Sequence, residues 1–244
     1  MSEQNRIALL IDCDNVSHHA IEGVLAELAR YGTVNVRHAH GDWNNPCLTG
    51  WAEQLHYHAI RPMQQFAYTK GKNATDSSMI IDAMDILYGG RVDAFALMTS
   101  DSDFTPLVLR ILESGLTVYG FGAEKTPRAF VASCSRFIFT EQLLAANNND
   151  GKLEGQPKQA QQQLRKNDVL AGLLKKAVMQ TAGDDDWSNL SRVGSYISNH
   201  SSFSSVNYGY KRLGDLIKAM GLFEIQMRDS GSSMYIKPGK GRGE

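Results

Sequence analysis

LLIDCDN, residues 9–15, decides the fold. It closes the unbroken apolar run IALLI (7–11) with an aspartate. A run of that kind is expected of a central parallel strand buried on both faces. Asp12 therefore stands at a strand's carboxyl end, with Asp14 and Asn15 just beyond it. Downstream, Ile21, Val24, Leu25 and Leu28 follow i, i+3, i+4, i+7 spacing, which predicts a helix that stops at Tyr31-Gly32. TVNVRHA (33–39) alternates as a strand, and 48–57 reads as a helix. A strand over 58–66 is interrupted by Pro62, which suggests an edge position or a strand end. A helix over 75–88 gathers Met79, Ile80, Ala83, Met84 and Leu87 on one side, and DAFALM (93–98) is a second buried strand. SDSDFTPLVLRILESG (100–115) is an acidic turn entering a helix. LTVYGFG (116–122) is a strand, a short helix covers 126–132, and RFIFT (136–140) is a last strand. This alternation predicts right-handed βαβ units: an α/β fold whose parallel sheet is covered by helices on both faces.

At 244 residues, 42% of them hydrophobic and 21% charged, the chain can bury one large core or two unequal ones. The net charge of −1 hides an uneven distribution. Residues 1–145 hold 11 Lys and Arg against 16 Asp and Glu, whereas residues 146–244 hold 14 against 10. An acidic block followed by a basic one suggests modules with separate tasks. Between them, NNNDGKLEGQPKQAQQQLRKN (147–167) is polar and Gln/Asn-rich, which predicts a linker over 146–165. The remainder, 166–240, predicts three short helices (169–182, within 184–200, and 208–221). LFEIQMR and SSMYIK then flank RDSG as a β-hairpin, completing a winged-helix outline. Cys13, Cys47 and Cys134 form no CxxC pair, which fits a reducing, cytoplasmic interior. No stretch approaches the roughly 18 apolar residues of a membrane span, so the sequence predicts a soluble protein without a membrane partner.

Ligands of parallel α/β sheets bind beyond the carboxyl ends of the strands. Asp12 follows the strand 7–11, and Asp101 and Asp103 follow the strand 93–98 across Thr99 and Ser100. If those strands are neighbours, their acids converge. Asp76 lies in the first turn of the helix 75–88, after a loop containing Lys70, Lys72 and Asn73. Carboxylates brought together repel one another unless a cation neutralises them, and hard oxygen donors suit Mg²⁺ or Mn²⁺ better than zinc. An ion so held makes phosphodiester hydrolysis the natural chemistry. Each aspartate taken alone is equally an ordinary helix cap. Within the phosphodiester reading, Lys72 can pair with a phosphate, Asn15 can orient a water, and Ser100 joins them as a substrate contact. Asp82 lies about 240° around the helix from Asp76, which places it at the surface or behind the acids.

LLIDCDN (9–15), KGKNATDSSMIIDAMDIL (70–87) and TSDSDFTPLV (99–108) together resemble the NYN family of PIN-like nuclease domains, from about residue 6 to 142. The resemblance implies a three-layer PIN-like α/β/α fold and divalent-metal ribonuclease activity. It carries Asp12, Asp76, Asp101 and Asp103 over as metal-site and catalytic acids, and Asn15 and Asp82 also match family positions. YGYKRLGDLIKAMGLFEI (208–225) resembles a LOTUS (OST-HTH) domain, which implies a winged-helix RNA-binding module. There Lys211, Arg212 and Tyr210 either offer charge and stacking to single-stranded RNA or serve as a solvated basic face and a tyrosine packed in the small core.

Among the histidines, His38 and His40 alternate along a strand without a cysteine at zinc spacing, so packing or surface roles are expected of them. His18 and His19 follow Asn15 and stand where a phosphate contact is conceivable. The leading reading is a Mg²⁺- or Mn²⁺-dependent ribonuclease acting on single-stranded RNA. The rivals are a non-catalytic RNA-binding or regulatory adaptor, and a phosphatase or flap-type DNA nuclease using the same acids. The sequence leaves the oligomeric state open, a homodimer included.

Overall fold

The computed structural model describes residues 4–64, 74–147, 164, 167–228 and 231–239. The chain divides into two compact units, one within 1–148 and the other within 149–244.

In the first unit, β1 (Arg6–Asp12), β2 (Thr33–Gly41), β3 (Arg61–Gln64), β4 (Ala94–Met98), β5 (Thr117–Gly122) and β6 (Arg136–Phe139) form one parallel sheet in the order 3-2-1-4-5-6. β1 and β4 are buried along almost their whole length, as their unbroken apolar runs require. β3 is an edge strand and contains Pro62, a residue that an edge tolerates because it lacks an N–H to donate.

The helices are α1 (Ile21–Leu28), α2 (Thr49–Tyr57), α3 (Ala74–Tyr88), α4 (Thr105–Glu113), α5 (Arg128–Ser133) and α6 (Thr140–Asn147). One sheet face, presenting Ala8, Leu10, Phe95, Leu97, Val118 and Phe137, packs against Met79, Ala83 and Leu87 of α3, Leu107, Val108 and Ile111 of α4, and Phe130 of α5. The alternate residues, among them Leu9 and Ile11, turn to the opposite face, where α1 packs beside α6. The result is a three-layer α/β/α domain. Helix α6 enters the start of the stretch expected to be a linker; the rest of that stretch, residue 164 apart, lies outside the described residues.

The order 3-2-1-4-5-6 reverses direction between β1 and β4. After β1 the chain winds outward one way, and after β4 it winds the other, so a crevice opens at the carboxyl ends of these two strands. The neighbourhood on which the acidic reading depended is therefore present: Ile7 to Ile11 pair with Ala94 to Met98 in register.

The second unit holds α7 (Asp168–Thr181), α8 (Leu190–His200) and α9 (Leu213–Met220), with the antiparallel sheet β7 (Ser188–Asn189), β9 (Ser233–Pro238) and β8 (Phe223–Arg228) in that order. Leu170, Leu174, Val178, Val193, Ile197, Leu216, Ile217, Met220 and Ile236 make its core. Helix α9 is shorter than the segment 208–221. Tyr208 belongs to a separate 3-10 turn, and Gly221 ends α9 in the left-handed conformation at φ 61° that a side chain would resist. The two-residue strand β7 lies inside the segment 184–200, where only a helix was expected.

Candidate active site

Asp12 ends β1 with no solvent exposure. Its Oδ2 accepts hydrogen bonds from Thr99 Oγ1 at 2.7 Å and from Asn15 Nδ2 at 2.9 Å. Its Oδ1 is buried without a hydrogen-bond partner among the described residues. Burial pushes the Asp12 carboxyl up, the Thr99 and Asn15 hydrogen bonds pull it down, and the Asp14 and Asp101 charges push it up again. The net shift is upward. A buried carboxylate oxygen left bare is costly, and a cation would remove that cost.

The segment after β4 is organised around Thr99. Its hydroxyl donates to Asp12 and accepts the Asp101 N–H at 3.1 Å. Asp101 then caps the short turn 102–104, its Oδ1 accepting the Asp103 N–H at 2.9 Å. One hydroxyl thus fixes two of the acids relative to each other. Sequence reasoning passed over Thr99; a hydroxyl directly after a buried strand and two residues before an acid was the available signal. Ser100 Oγ accepts the Ala123 N–H at 2.9 Å, tying this segment to the end of β5. Asp103 is exposed and Asp101 half-buried.

Asp76, half-buried in the first turn of α3, has its carboxyl pushed up to about 6. Burial is the largest cause, followed by the charges of Asp12, Asp101, Asp103 and Asp14. The five acids therefore form one electrostatic neighbourhood. Asp14 is exposed and accepts a hydrogen bond from Thr75 Oγ1 at 3.0 Å, which links the end of β1 to the start of α3. Lys72, with Lys70, lies outside the described residues. Because Asp76 binds its proton more tightly folded than unfolded, the metal-free protein loses stability as pH rises through the window from about 4 to about 6. Asp76→Asn removes this loss. After allowance for solvent screening it should gain about 1 kcal/mol on the wild type at pH 7 in a chelator, and nothing at pH 3.5. Denaturant melts at the two pH values measure the difference.

The acids fit a divalent cation in chemistry: all are hard oxygen donors, and one buried oxygen is bare. They stand wider than a closed cage. Among the described residues, the one group of three His, Cys, Asp or Glu donors whose ligand atoms all lie within 4.8 Å is elsewhere, at His38, His40 and Asp82. A wide carboxylate set suits an ion that keeps several of its waters.

That second group narrows two expectations. Of the packing or surface roles expected of His38 and His40 the surface one falls away, since their side chains are 16% and 0% exposed. Asp82 is likewise not at the surface. Its Oδ2 meets His38 Nδ1 at 2.7 Å and His40 Nε2 at 3.0 Å. Burial alone would raise the Asp82 carboxyl, but the two histidine hydrogen bonds outweigh it and hold it well below the usual range. Helix α3 packs on both β1 and β2, and Asp82, in its third turn, meets the two β2 histidines. Asp82→Ala strands two imidazoles in a mostly buried place. It should cost about 2–3 kcal/mol, seen as a lowered denaturation midpoint with an unchanged slope.

His18 sits edge-on to Trp51, with ring centroids 6.2 Å apart, and against His19 at 4.0 Å. The Trp43 indole donates to the Met63 carbonyl at 3.2 Å. In the second unit Tyr210 packs partly into the core, as does Tyr208, while Lys211 and Arg212 are exposed.

The family model of the NYN domain matches residues 6–144. The chain belongs to the NYN family. The model of the OST-HTH/LOTUS domain matches residues 152–235, so the NYN domain is followed by a LOTUS domain. No curated protein matches the chain in sequence. Among solved structures, the chain is similar to a protein of unknown function from Vibrio parahaemolyticus RIMD 2210633, at 20% identity and a TM-score of 0.48, covering 57% of this chain and 94% of that one. It is also similar to the WlbA dehydrogenase from Bordetella pertussis, at 16% identity and a TM-score of 0.35, covering 71% of this chain and 42% of that one. No helix among the described residues is long and apolar enough to cross a membrane.

Proposed function

We propose that the NYN domain is a Mg²⁺- or Mn²⁺-dependent ribonuclease and that the LOTUS domain binds its single-stranded RNA substrate. The observation that carries this reading is Asp12. It is a fully buried carboxylate at the switch point of the sheet, with one oxygen held by Thr99 and Asn15 and the other bare.

Asp12, Asp101, Asp103 and Asp76 would hold the cation. When bound, it supplies a Lewis acid for the phosphate oxygens and a water of lowered pKa. The chain does the positioning. Thr99 and Asn15 fix the Asp12 carboxylate so that its bare oxygen has one orientation. Asp101 is held by its own backbone contact to Thr99 and by its cap on the turn 102–104. Asp76, whose carboxyl burial and then the neighbouring carboxylates raise while no ion is bound, completes the set from the first turn of α3 and gives up its proton when a cation is held. Lys72 and Ser100 are assigned to the substrate side, Lys72 as a counter-charge for phosphate. In the LOTUS domain, exposed Lys211 and Arg212 meet the RNA backbone, and the part of Tyr210 not packed in the core offers a stacking face.

Incubating the full chain and Asp101→Asn with a mixed RNA pool and Mn²⁺, then sequencing the products, tests the proposal. Cleavage by the wild type alone supports it. Equal cleavage by both proteins, or none by either while RNA is still bound, overturns it, the second outcome in favour of the adaptor. Single-stranded DNA and a small phosphoester run in parallel separate ribonuclease activity from DNA cleavage and phosphatase activity.

A further inference from the structure

The acidic site does not use His38, His40 or Asp82, yet these three make the tightest set of metal-type donors among the described residues. Two come from alternate positions of β2 and so project from one sheet face. The third comes from α3, which packs across that face. All three backbones belong to regular elements, so the donors are held without loop motion. His38 Nδ1 and His40 Nε2 lie 2.7 and 3.0 Å from the same Asp82 oxygen. Ligand atoms around a tetrahedral zinc, with bonds of about 2.0–2.2 Å, stand a little over 3 Å apart. A small outward movement of each side chain would therefore admit an ion.

A hydrogen-bonded triad alone accounts for one side of each ring and leaves a defect. With Nε2–H given to Asp82, the Nδ1 of fully buried His40 has no partner among the described residues. Histidines that ligate metals pass their other N–H to a carboxylate or carbonyl. Ligation through Nε2 would put the remaining proton of His40 on Nδ1, the atom that the hydrogen-bonded triad leaves unpartnered. Two imidazoles and a carboxylate suit zinc, with a fourth position left for water, whereas the all-oxygen acids suit Mg²⁺ or Mn²⁺.

We propose that His38, His40 and Asp82 form a zinc site, distinct from the aspartate site, that pins α3 to β2. The proposal stands independently of ribonuclease activity.

The test strips the full chain with a chelator, then titrates it with Zn²⁺ by calorimetry and with Co²⁺ by visible absorption. The wild type, His38→Ala, His38→Asn, Asp82→Asn and Asp101→Asn are compared. Expected is one equivalent bound with the visible band of nitrogen-ligated cobalt. Affinity should fall at least ~10-fold in the His38 and Asp82 variants and stay unchanged in Asp101→Asn. His38→Asn keeps an N–H for Asp82, so it decides the matter if His38→Ala fails to fold. Long-range ¹H–¹⁵N spectra of the zinc-bound protein should show His40 protonated at Nδ1. Absence of binding, binding indifferent to His38 and Asp82, or binding lost only with Asp101 would each overturn the proposal.

Discussion

Asp12→Asn is expected to lower metal-dependent RNA cleavage by at least about 100-fold while leaving the NYN domain folded. The amide has nearly the carboxylate's shape, and its remaining oxygen can still accept from Thr99 and Asn15, so the local hydrogen bonds have a place to go. The full negative charge and the second oxygen are lost, and those are what a divalent ion would need. The substitution also removes a buried charge whose protonation burial already favours. Single-turnover cleavage in Mn²⁺, beside circular-dichroism melts with and without chelator, separates loss of chemistry from loss of fold. Cleavage within tenfold of the wild type would remove Asp12 from the mechanism.

Gly122→Ala should be the most damaging small change near the site. A Cβ at this position would lie 2.6 Å from the Thr99 carbonyl oxygen, 2.8 Å from Thr126 Oγ1 and 3.0 Å from Phe137. The first of these is backbone, and it cannot simply retreat, because Thr99 N–H donates to the Phe121 carbonyl at 2.9 Å. Relief must come from separating the ends of β4 and β5. Overpacking of this sort costs about 1–3 kcal/mol, and the backbone clash places the value at the upper end. A fall in Tm of several degrees follows for a domain of this size. Since Thr99 holds both Asp12 and Asp101, cleavage should fall as well, even below the melting transition. A Tm within one degree of the wild type would show that the strand ends yield freely.

The sheet and the acids were legible in the sequence for a physical reason. Strands buried on both faces must be apolar throughout, so IALLI and AFALM announce themselves, and a charge directly after such a run can lie only at its end. Asp12 and Asp101 needed no further information than the adjacency of β1 and β4. His40 and Asp82 were not legible in the same way. Alternation along β2 puts His38 and His40 on one face, but which face, and which turn of α3 lies over it, depends on how the helix is set against the sheet. Helix α6 was missed because TEQLLAAN offers little apolar periodicity, and β7 because two residues carry no pattern. In the LOTUS domain the tyrosines illustrate a choice that composition leaves open. Tyr208 and Tyr210 pack in part against the core, which a small domain needs more than it needs exposed rings.

The hydrogen bond between Asp12 and Thr99 joins residues 87 positions apart. An N-terminal piece that ends before β4 has Asp12 but neither the strand that pairs beside β1 nor the hydroxyl that holds the carboxylate. During synthesis, therefore, β1 and β2 can pair early, while the acidic set is completed only after β4 and the segment through Asp103 have emerged and docked. A nascent chain still bound to its messenger and ribosome is surrounded by RNA at close range. Placing the halves of the site on distant stretches of sequence would delay catalytic competence until the central sheet is assembled.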